Sequence, residues 1–388
     1  MTSLAFIVAG AAISALLYGY VWYRLKAMLR PSPRGQRILK AFIVVAYVMV
    51  PISTSSRMWA PSLSSLLSWA AGPWMAFVGI AATLFAVLDI VRFALFLKNR
   101  VSRSPSVEDA VTRRRFLTTL TGGTAMVSGA SVAEGMISAR GDHEIVTVEF
   151  KLSKLPRELD GFSIVQLSDL HIGMTIDREF VQRVVDRTNA LVPDLIALTG
   201  DLVDGHVNSL RDDVAPLSEL HAPHGIFAVT GNHEYYSGAD AWIAELTRMG
   251  IRYLRNERVD IGNGGNRFEL AGVDDYSAEH WPGHGEDIGR AAAGRDLSRA
   301  FVLLAHQPRQ VRRAAAHGVD LQLSGHTHGG QIWPWHHIVM RQQGYLAGRY
   351  QHEATQLYVT RGCGYWGPPV RLFAPLEITR IVLRASDR

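Results

Sequence analysis

Five short apolar runs in this 388-residue chain each end in polar groups able to bind a metal ion. Phe162–Leu167 runs into Ser168, Asp169, Leu170 and His171, and Leu195–Thr199 runs into Gly200 and Asp201. Ile226–Thr230 is followed by Gly231, Asn232, His233 and Glu234. Phe301–Ala305 is followed by His306, and Leu321–Ser324 by Gly325, His326, Thr327 and His328. Carboxylate, amide oxygen and imidazole without thiolate suit Mn, Fe or Zn rather than a Cys-type structural zinc. Asp169, His171, Asp201, Asn232, His306, His326 and His328 are too many ligands for one tetrahedral site. Two metals sharing Asp201 would use all of them and leave room for a bridging water, which supports in-line displacement at phosphorus.

Such groups converge only if the runs before them are neighbours. From about Glu144, β-branched or Leu-rich runs alternate with longer mixed segments, the texture of an α/β layered fold. Buried strands lying side by side would bring their carboxyl ends to one sheet edge, where sites in open α/β sheets collect. In extended backbone, Asp169 and His171 point to the same side, as do His326 and His328. Glycines before Asp201, Asn232 and His326 let the chain turn sharply close to a ligand.

The ordered blocks SDLH, GD, GNHE, AHQ and GHTH resemble the calcineurin-like metallophosphoesterase superfamily over about residues 145–385. The strings SGHTHGGQIWP and VTRGCGYWGPPVRLFAPLEI resemble its bacterial branch of membrane-anchored and twin-arginine-exported members. The resemblance implies an α/β four-layer sandwich of two mixed β-sheets flanked by helices. It implies one metal on Asp169, His171, Asp201 and His328, and a second on Asp201, Asn232, His306 and His326. His233 would protonate the leaving oxygen or stabilise phosphoryl charge. The expected activity is hydrolysis of phosphoric monoesters or diesters by a metal-bound hydroxide, with no covalent enzyme intermediate.

Other polar residues read more plainly. Ten of the fifteen histidines, His143 among them, read as structural or exposed. Asp204 in GDLVDG reads first as a loop Asx turn, and second as a hydrogen-bond partner of a ligand. Glu234, Asp274 and Asp275 read likewise. Arg361 is a candidate contact for substrate phosphate, and Cys363, the one cysteine, reads as a small packing residue. Trp333, Trp335, Tyr345, Tyr365 and Trp366 read as packing, or as an amphipathic lip that would suit phospholipid or lipid-linked phosphate.

The first 140 residues differ in kind. Ser3–Tyr23 and Met58–Leu88 hold no charged residue, runs of 21 and 31, and about 20 apolar residues cross a bilayer. Spans are expected at about 3–23, 38–56 and 66–91, with the weakly apolar 116–133 as a fourth. The chain then divides into a transmembrane region (1–97), a linker with a twin-arginine-like signal or fourth span (98–140), and a metallophosphoesterase domain (141–388). Residues 24–40 and 92–115 are rich in Lys and Arg, which places them in the cytoplasm. TRRRFL (112–117) resembles a twin-arginine export signal. If 116–133 crosses, the large domain lies outside the inner membrane of a bacterial cell, and otherwise inside.

Residues 1–140 carry fifteen Lys/Arg against four Asp/Glu, and the remainder twenty-five against thirty-one. The acidic remainder argues against a nucleic-acid partner. Two other classes stand beside the enzyme: a non-catalytic metal-binding membrane scaffold or signalling protein, and a transporter. The scaffold would not need His233. The transporter would need charges paired inside a span, and Asp89 stands at the end of one. Oligomeric state has no signal here.

Overall fold

The computed structural model describes residues 4–56, 60–100 and 107–386. The chain divides into two compact units, Met1–Ile137 with Gly367–Leu372, and Ser138–Trp366 with Phe373–Arg388.

The first unit is built on helices α1 (Leu4–Leu29), α2 (Pro33–Ser55), α3 (Pro61–Arg100) and α4 (Val107–Arg140). Ser32 caps α2 by accepting from the Gly35 N–H, with proline at the first helical position, where its missing donor costs nothing. Two helical stretches, Pro33–Ser55 and Leu63–Leu97, are long and apolar enough to cross a membrane. The runs expected at 3–23 and 116–133 fall on α1 and α4. The side chains of TRRRFL, and residues 101–106 of the expected linker, lie outside the described residues; Val107–Thr112 of that linker is helical. Tyr18, Val21, Ile43, Ala46, Val78 and Phe85 form a shared apolar core of α1, α2 and α3.

Asp89 does not stand at the end of an apolar helix; it lies within the Leu63–Leu97 stretch. Its carboxylate takes Arg24 of α1 at 3.1 Å and Arg92 at 3.2 Å. It also accepts from the Tyr20 hydroxyl at 2.7 Å, and Arg92 donates to Thr121 of α4 at 3.0 Å. Asp89 is thus paired with a cation that arrives from another helix. Asp89→Ala leaves two guanidinium groups without their counter-charge. A lower melting midpoint of the detergent-solubilised chain, worth about 1–3 kcal/mol, is expected by helical circular dichroism.

The second unit holds strands β1 (Glu144–Leu152), β2 (Ser163–Leu167), β3 (Leu195–Leu198), β4 (Ile226–Ala228), β5 (Arg252–Tyr253), β6 (Glu257–Asn263), β7 (Asn266–Gly272), β8 (Phe301–Leu304), β9 (Leu321–Ser324), β10 (Gly348–His352), β11 (Thr355–Val359) and β12 (Glu377–Ala385). They form two six-stranded sheets, ordered β1-β12-β2-β3-β4-β5 and β10-β11-β9-β8-β7-β6. Both are mixed: β2 to β5 run parallel and β12 is antiparallel to β2, while β7, β8, β9 and β11 run parallel with β6 and β10 antiparallel at the edges.

Alternation along each strand gives the sheets two apolar faces. Ile164, Leu195, Ala197, Phe268, Val302, Leu321 and Leu323 meet in one core drawn from both sheets. Val165, Leu167, Ile196 and Leu198 instead pack against Phe180, Val184, Trp242 and Leu246 of flanking helices. Phe301 and Leu303 pack with Ile288, Ala291 and Ala314 of helices on the second sheet. The five apolar runs therefore do not line up in one sheet. Three are neighbours in the first and two in the second. Gln166 joins the sheets below their carboxyl ends, donating from Nε2 to the Thr199 hydroxyl at 2.9 Å and the Ser324 carbonyl at 3.0 Å.

Candidate metal centre

The seven candidate ligands and His233 all lie just beyond the carboxyl ends of parallel strands. Asp169 and His171 follow β2, Asp201 follows β3, and Asn232 and His233 open the helix Asn232–Ser237 after β4. His306 follows β8, and His326 and His328 follow β9. Asp169, Asp201 and His306 are 0, 2 and 0% exposed, so their charges have almost no water to stabilise them.

The backbone there is not extended. Asp169, His171, Asp201, His326 and His328 have φ of +56°, +50°, +53°, +71° and +51°. This left-handed region costs a non-glycine residue roughly 1–3 kcal/mol. The strand-like alternation expected for the two pairs is thus replaced by tight turns. Hydrogen bonds between the turns hold them: Asp169 N–H donates to the Gly200 carbonyl at 3.0 Å and His171 N–H to the Asp201 carbonyl at 3.1 Å.

Each aspartate also fixes a loop that carries another candidate ligand. Asp169, at the end of the first sheet, accepts from the His326 N–H at 2.9 Å, at the end of the second. Asp201 accepts from the His233 N–H at 2.8 Å. These approaches require glycine. A Cβ on Gly231 would lie 2.2 Å from Asp201 Oδ1, and one on Gly325 would lie 2.2 Å from Asp169 Oδ2.

Three sets of donor atoms converge: Asp169, His171 and His328; Asp201, His306 and His326; and His171, Asp201 and His233. His328 Nε2 lies 3.0 Å from His171 Nε2 and 3.5 Å from Asp169 Oδ1. His306 Nε2 lies 3.1 Å from Asp201 Oδ2 and 3.2 Å from His326 Nδ1. His306 Nδ1 donates to the Thr199 carbonyl at 2.7 Å, which turns Nε2 into the cluster. The amide oxygen of Asn232 is buried with no hydrogen-bond partner. An orphaned acceptor, facing imidazole nitrogens and two buried carboxylates are the donor set a divalent cation needs, so the residues fit divalent metal.

The electrostatics agree. Burial raises the Asp169 carboxyl above its ordinary range. Burial also opposes charge on Asp201, but the His306 and His233 imidazoles outweigh it and hold that carboxyl well below the usual range. Burial disfavours a charged His233, yet Asp201 and Asp204 together push it up to about 9.

Asp204 is not a loop Asx residue. Its Oδ1 lies 2.5 Å from His233 Nδ1, a hydrogen bond that orients that imidazole, and 3.3 Å from His171 Nδ1. The signal available in the sequence was its position three residues after Asp201. Glu234 was likewise undervalued: buried, it accepts from the backbone N–H groups of Asp201, Leu202 and Gly231 at 2.9, 2.7 and 2.6 Å. Arg361, the candidate phosphate contact, pairs with Glu377 at 2.6 Å and Glu144 at 2.7 Å. Asp274 holds Arg255, and Asp275 accepts from Ser277 and Gln307. His143 contacts the Cys363 carbonyl at 2.8 Å, and Cys363 is buried. Among the late aromatics, Tyr365 is buried and donates to the Thr175 carbonyl, while Trp333 and Trp366 are 38 and 56% exposed.

The close approach at Gly325 gives a direct test. Gly325→Ala forces Asp169 aside, and roughly 10–100-fold weaker divalent metal binding is expected by calorimetry, with the circular dichroism of the chain retained. Gly265→Ala, where a Cβ meets nothing within 4 Å, is expected to bind metal as the parent does.

Residues 162–330 match the model of the calcineurin-like phosphoesterase domain. A transmembrane protein with metallophosphoesterase domain from Danio rerio is 33% identical over 392 residues, covering 96% of this chain and 88% of that protein. An uncharacterized metallophosphoesterase of Helicobacter pylori is 41% identical over 239 residues, 61% of this chain and 63% of that one. An uncharacterized metallophosphoesterase of Bacillus subtilis is 34% identical over 292 residues, 71% of this chain and 99% of that one. With its carboxylates, imidazoles and orphaned amide gathered at the ends of two mixed sheets, the chain belongs to the calcineurin-like phosphoesterases and is a metal-dependent phosphoesterase.

Proposed function

We infer that the chain is a membrane-anchored phosphoric-ester hydrolase, acting on monoesters or diesters with two divalent metal ions of the Mn, Fe or Zn type. The carrying observation is the place of Asp201. Its Oδ2 lies 3.8 Å from His171 Nε2 and 3.1 Å from His306 Nε2, between the two outer sets of donors, where a shared ligand belongs. On this reading Asp169, His171, Asp201 and His328 hold one ion, and Asp201, Asn232, His306 and His326 hold the other. Bound there, the metals supply Lewis acidity for the phosphoryl oxygens and for activating a water.

The chain's own residues do the rest. His233, charged near neutral pH by Asp201 and Asp204, holds a proton for the leaving oxygen. Asp204 accepts at Nδ1 and so turns Nε2 of that ring toward the substrate. Glu234 locks the turn of Asp201 to that of Gly231.

Membrane anchoring is supported by the two apolar helical stretches and by the name of the zebrafish relative. On this reading residues 1–97 are a multi-pass region of about three spans, 98–140 a linker with a twin-arginine-like signal or a fourth span, and 141–388 the catalytic domain. The Lys/Arg-rich segments 24–40 and 92–115 favour a cytoplasmic position for themselves, and with 116–133 as a crossing span the domain lies outside a bacterial inner membrane. Exposed Trp333 and Trp366 favour phospholipid or lipid-linked phosphate as the substrate, since Trp partitions to the bilayer interface.

The test is hydrolysis of p-nitrophenyl phosphate and bis(p-nitrophenyl) phosphate by the detergent-solubilised chain with Mn²⁺. Metal-dependent release is expected, lost in Asp201→Asn and lowered about 10²–10⁴-fold in His233→Ala. Asp204→Asn is expected to lower it about 10–100-fold. No release from metal-loaded protein on either ester or on phospholipid vesicles counts against the reading. Protease added outside spheroplasts should remove the domain; protection would place it in the cytoplasm.

A further inference from the structure

His233 has two sides. On one, its ring meets the His171 ring at 4.5 Å, toward the candidate ligands. Toward solvent it meets two aromatic rings edge-on: Tyr236 at 5.2 Å and Trp366 at 5.9 Å, each at an interplanar angle of 74°. Both outer residues are 56% exposed.

Neither ring is a loose surface side chain. Tyr236 stands on the helix that begins at Asn232, and its ring rests against Trp281 at 5.6 Å. The Trp366 backbone is held at both polar groups by one side chain: its N–H donates to Gln331 Oε1 at 2.9 Å, and Gln331 Nε2 donates to its carbonyl at 2.8 Å. Gln331 follows the turn His328–Gly330, which begins with a candidate ligand. Both aromatic positions are therefore fixed by elements that also carry the site. A single exposed aromatic needs no explanation. Two, held against the same imidazole with half their surfaces bare, form a preorganised apolar wall.

The proposed role of His233 makes that wall's place meaningful. If His233 hands its proton to the leaving oxygen, the carbon attached to that oxygen lies one covalent bond beyond a hydrogen bond to the imidazole. The rest of the leaving alcohol must then extend along the rings that border His233. We propose that Tyr236 and Trp366 form the leaving-group subsite, and that the enzyme selects phosphoric esters whose leaving alcohol carries an apolar body next to the scissile oxygen. Neither ring brings a formal charge to a hydrophilic alcohol, whereas an apolar body would cover surface now left to water. This rests on the hydrolase reading above, and it deepens that reading from reaction type to substrate class.

The experiment compares kcat/KM of the metal-loaded full chain for 2-phenylethyl, 2-cyclohexylethyl and 2-methoxyethyl phosphate, or for their methyl diesters if diesters are the better class. These alcohols are similarly basic, so intrinsic reactivity is nearly matched and contacts with the alcohol decide the ratio. Apolar pockets discriminate by roughly 10–200-fold. The parent should favour both apolar esters over the methoxyethyl ester at least tenfold. In the Tyr236→Ser, Trp366→Ser double variant that ratio should fall at least tenfold, with metal content as in the parent, and Tyr236→Phe should restore part of it. A ratio near one in the parent, or a ratio that the double variant does not move, overturns the subsite while leaving the hydrolase standing. Absence of any hydrolysis in metal-loaded parent overturns the hydrolase reading itself, and the subsite with it.

Discussion

Two carboxylates buried with almost no water around them, Asp169 and Asp201, are the constraint that the catalytic unit is organised around. Removing such a charge from water costs several kcal/mol, recovered only by close and well-oriented partners. The surrounding features supply them. Backbone N–H groups of His326 and His233 point at the two carboxylates, and glycines at 231 and 325 let those loops come near enough. Imidazoles of His171, His306 and His328 approach from the remaining directions. Divalent metal completes the compensation. The strain of five left-handed ligand residues is tolerable because so many fixed contacts over-determine the turns.

The same constraint explains why two sheets are needed. One sheet edge offers a row of loops, whereas enclosing a metal centre takes donors from opposing directions. β2, β3 and β4 deliver Asp169, His171, Asp201 and Asn232 from one side, and β8 and β9 deliver His306, His326 and His328 from the other. The sheets are held in register at this level by polar links as well as by their apolar core. Gln166 reaches from β2 to the Ser324 carbonyl of β9, and Ser324 donates to the Ala305 carbonyl. Buried amide-to-carbonyl bonds of this kind are directional, so they fix the relative position of the sheet ends more sharply than apolar contact does.

Around this centre one imidazole links the buried carboxylates to exposed aromatic rings. His171 borders the ligands, Asp204 contacts both His171 and His233, and His233 borders the exposed Tyr236 and Trp366. Carboxylates thus push the His233 imidazole above its ordinary pKa, and exposed aromatic rings border it. In the helical unit a comparable economy holds: one carboxylate, Asp89, serves Arg24, Arg92 and Tyr20 at once.

The sequence by itself determined the elements and the inventory of chemistry. Apolar runs ending in Asp, Asn and His marked the strands β2, β3, β4, β8 and β9 and the residues at their ends, because burial and metal ligation each demand particular residue types. Ordered motifs identified the family, and uncharged runs marked apolar helices by length alone. Tertiary structure decided what depends on partners distant in the chain. It split the five runs between two sheets, turned the ligand pairs left-handed, and made Asp204 and Glu234 parts of the site. It bound Arg361 to Glu377 and Glu144, and it paired Asp89 with Arg24 across 65 positions. A side chain's type is written at its own position. Its hydrogen-bond partner is chosen by packing, which brings together residues whose separation along the chain carries no signal.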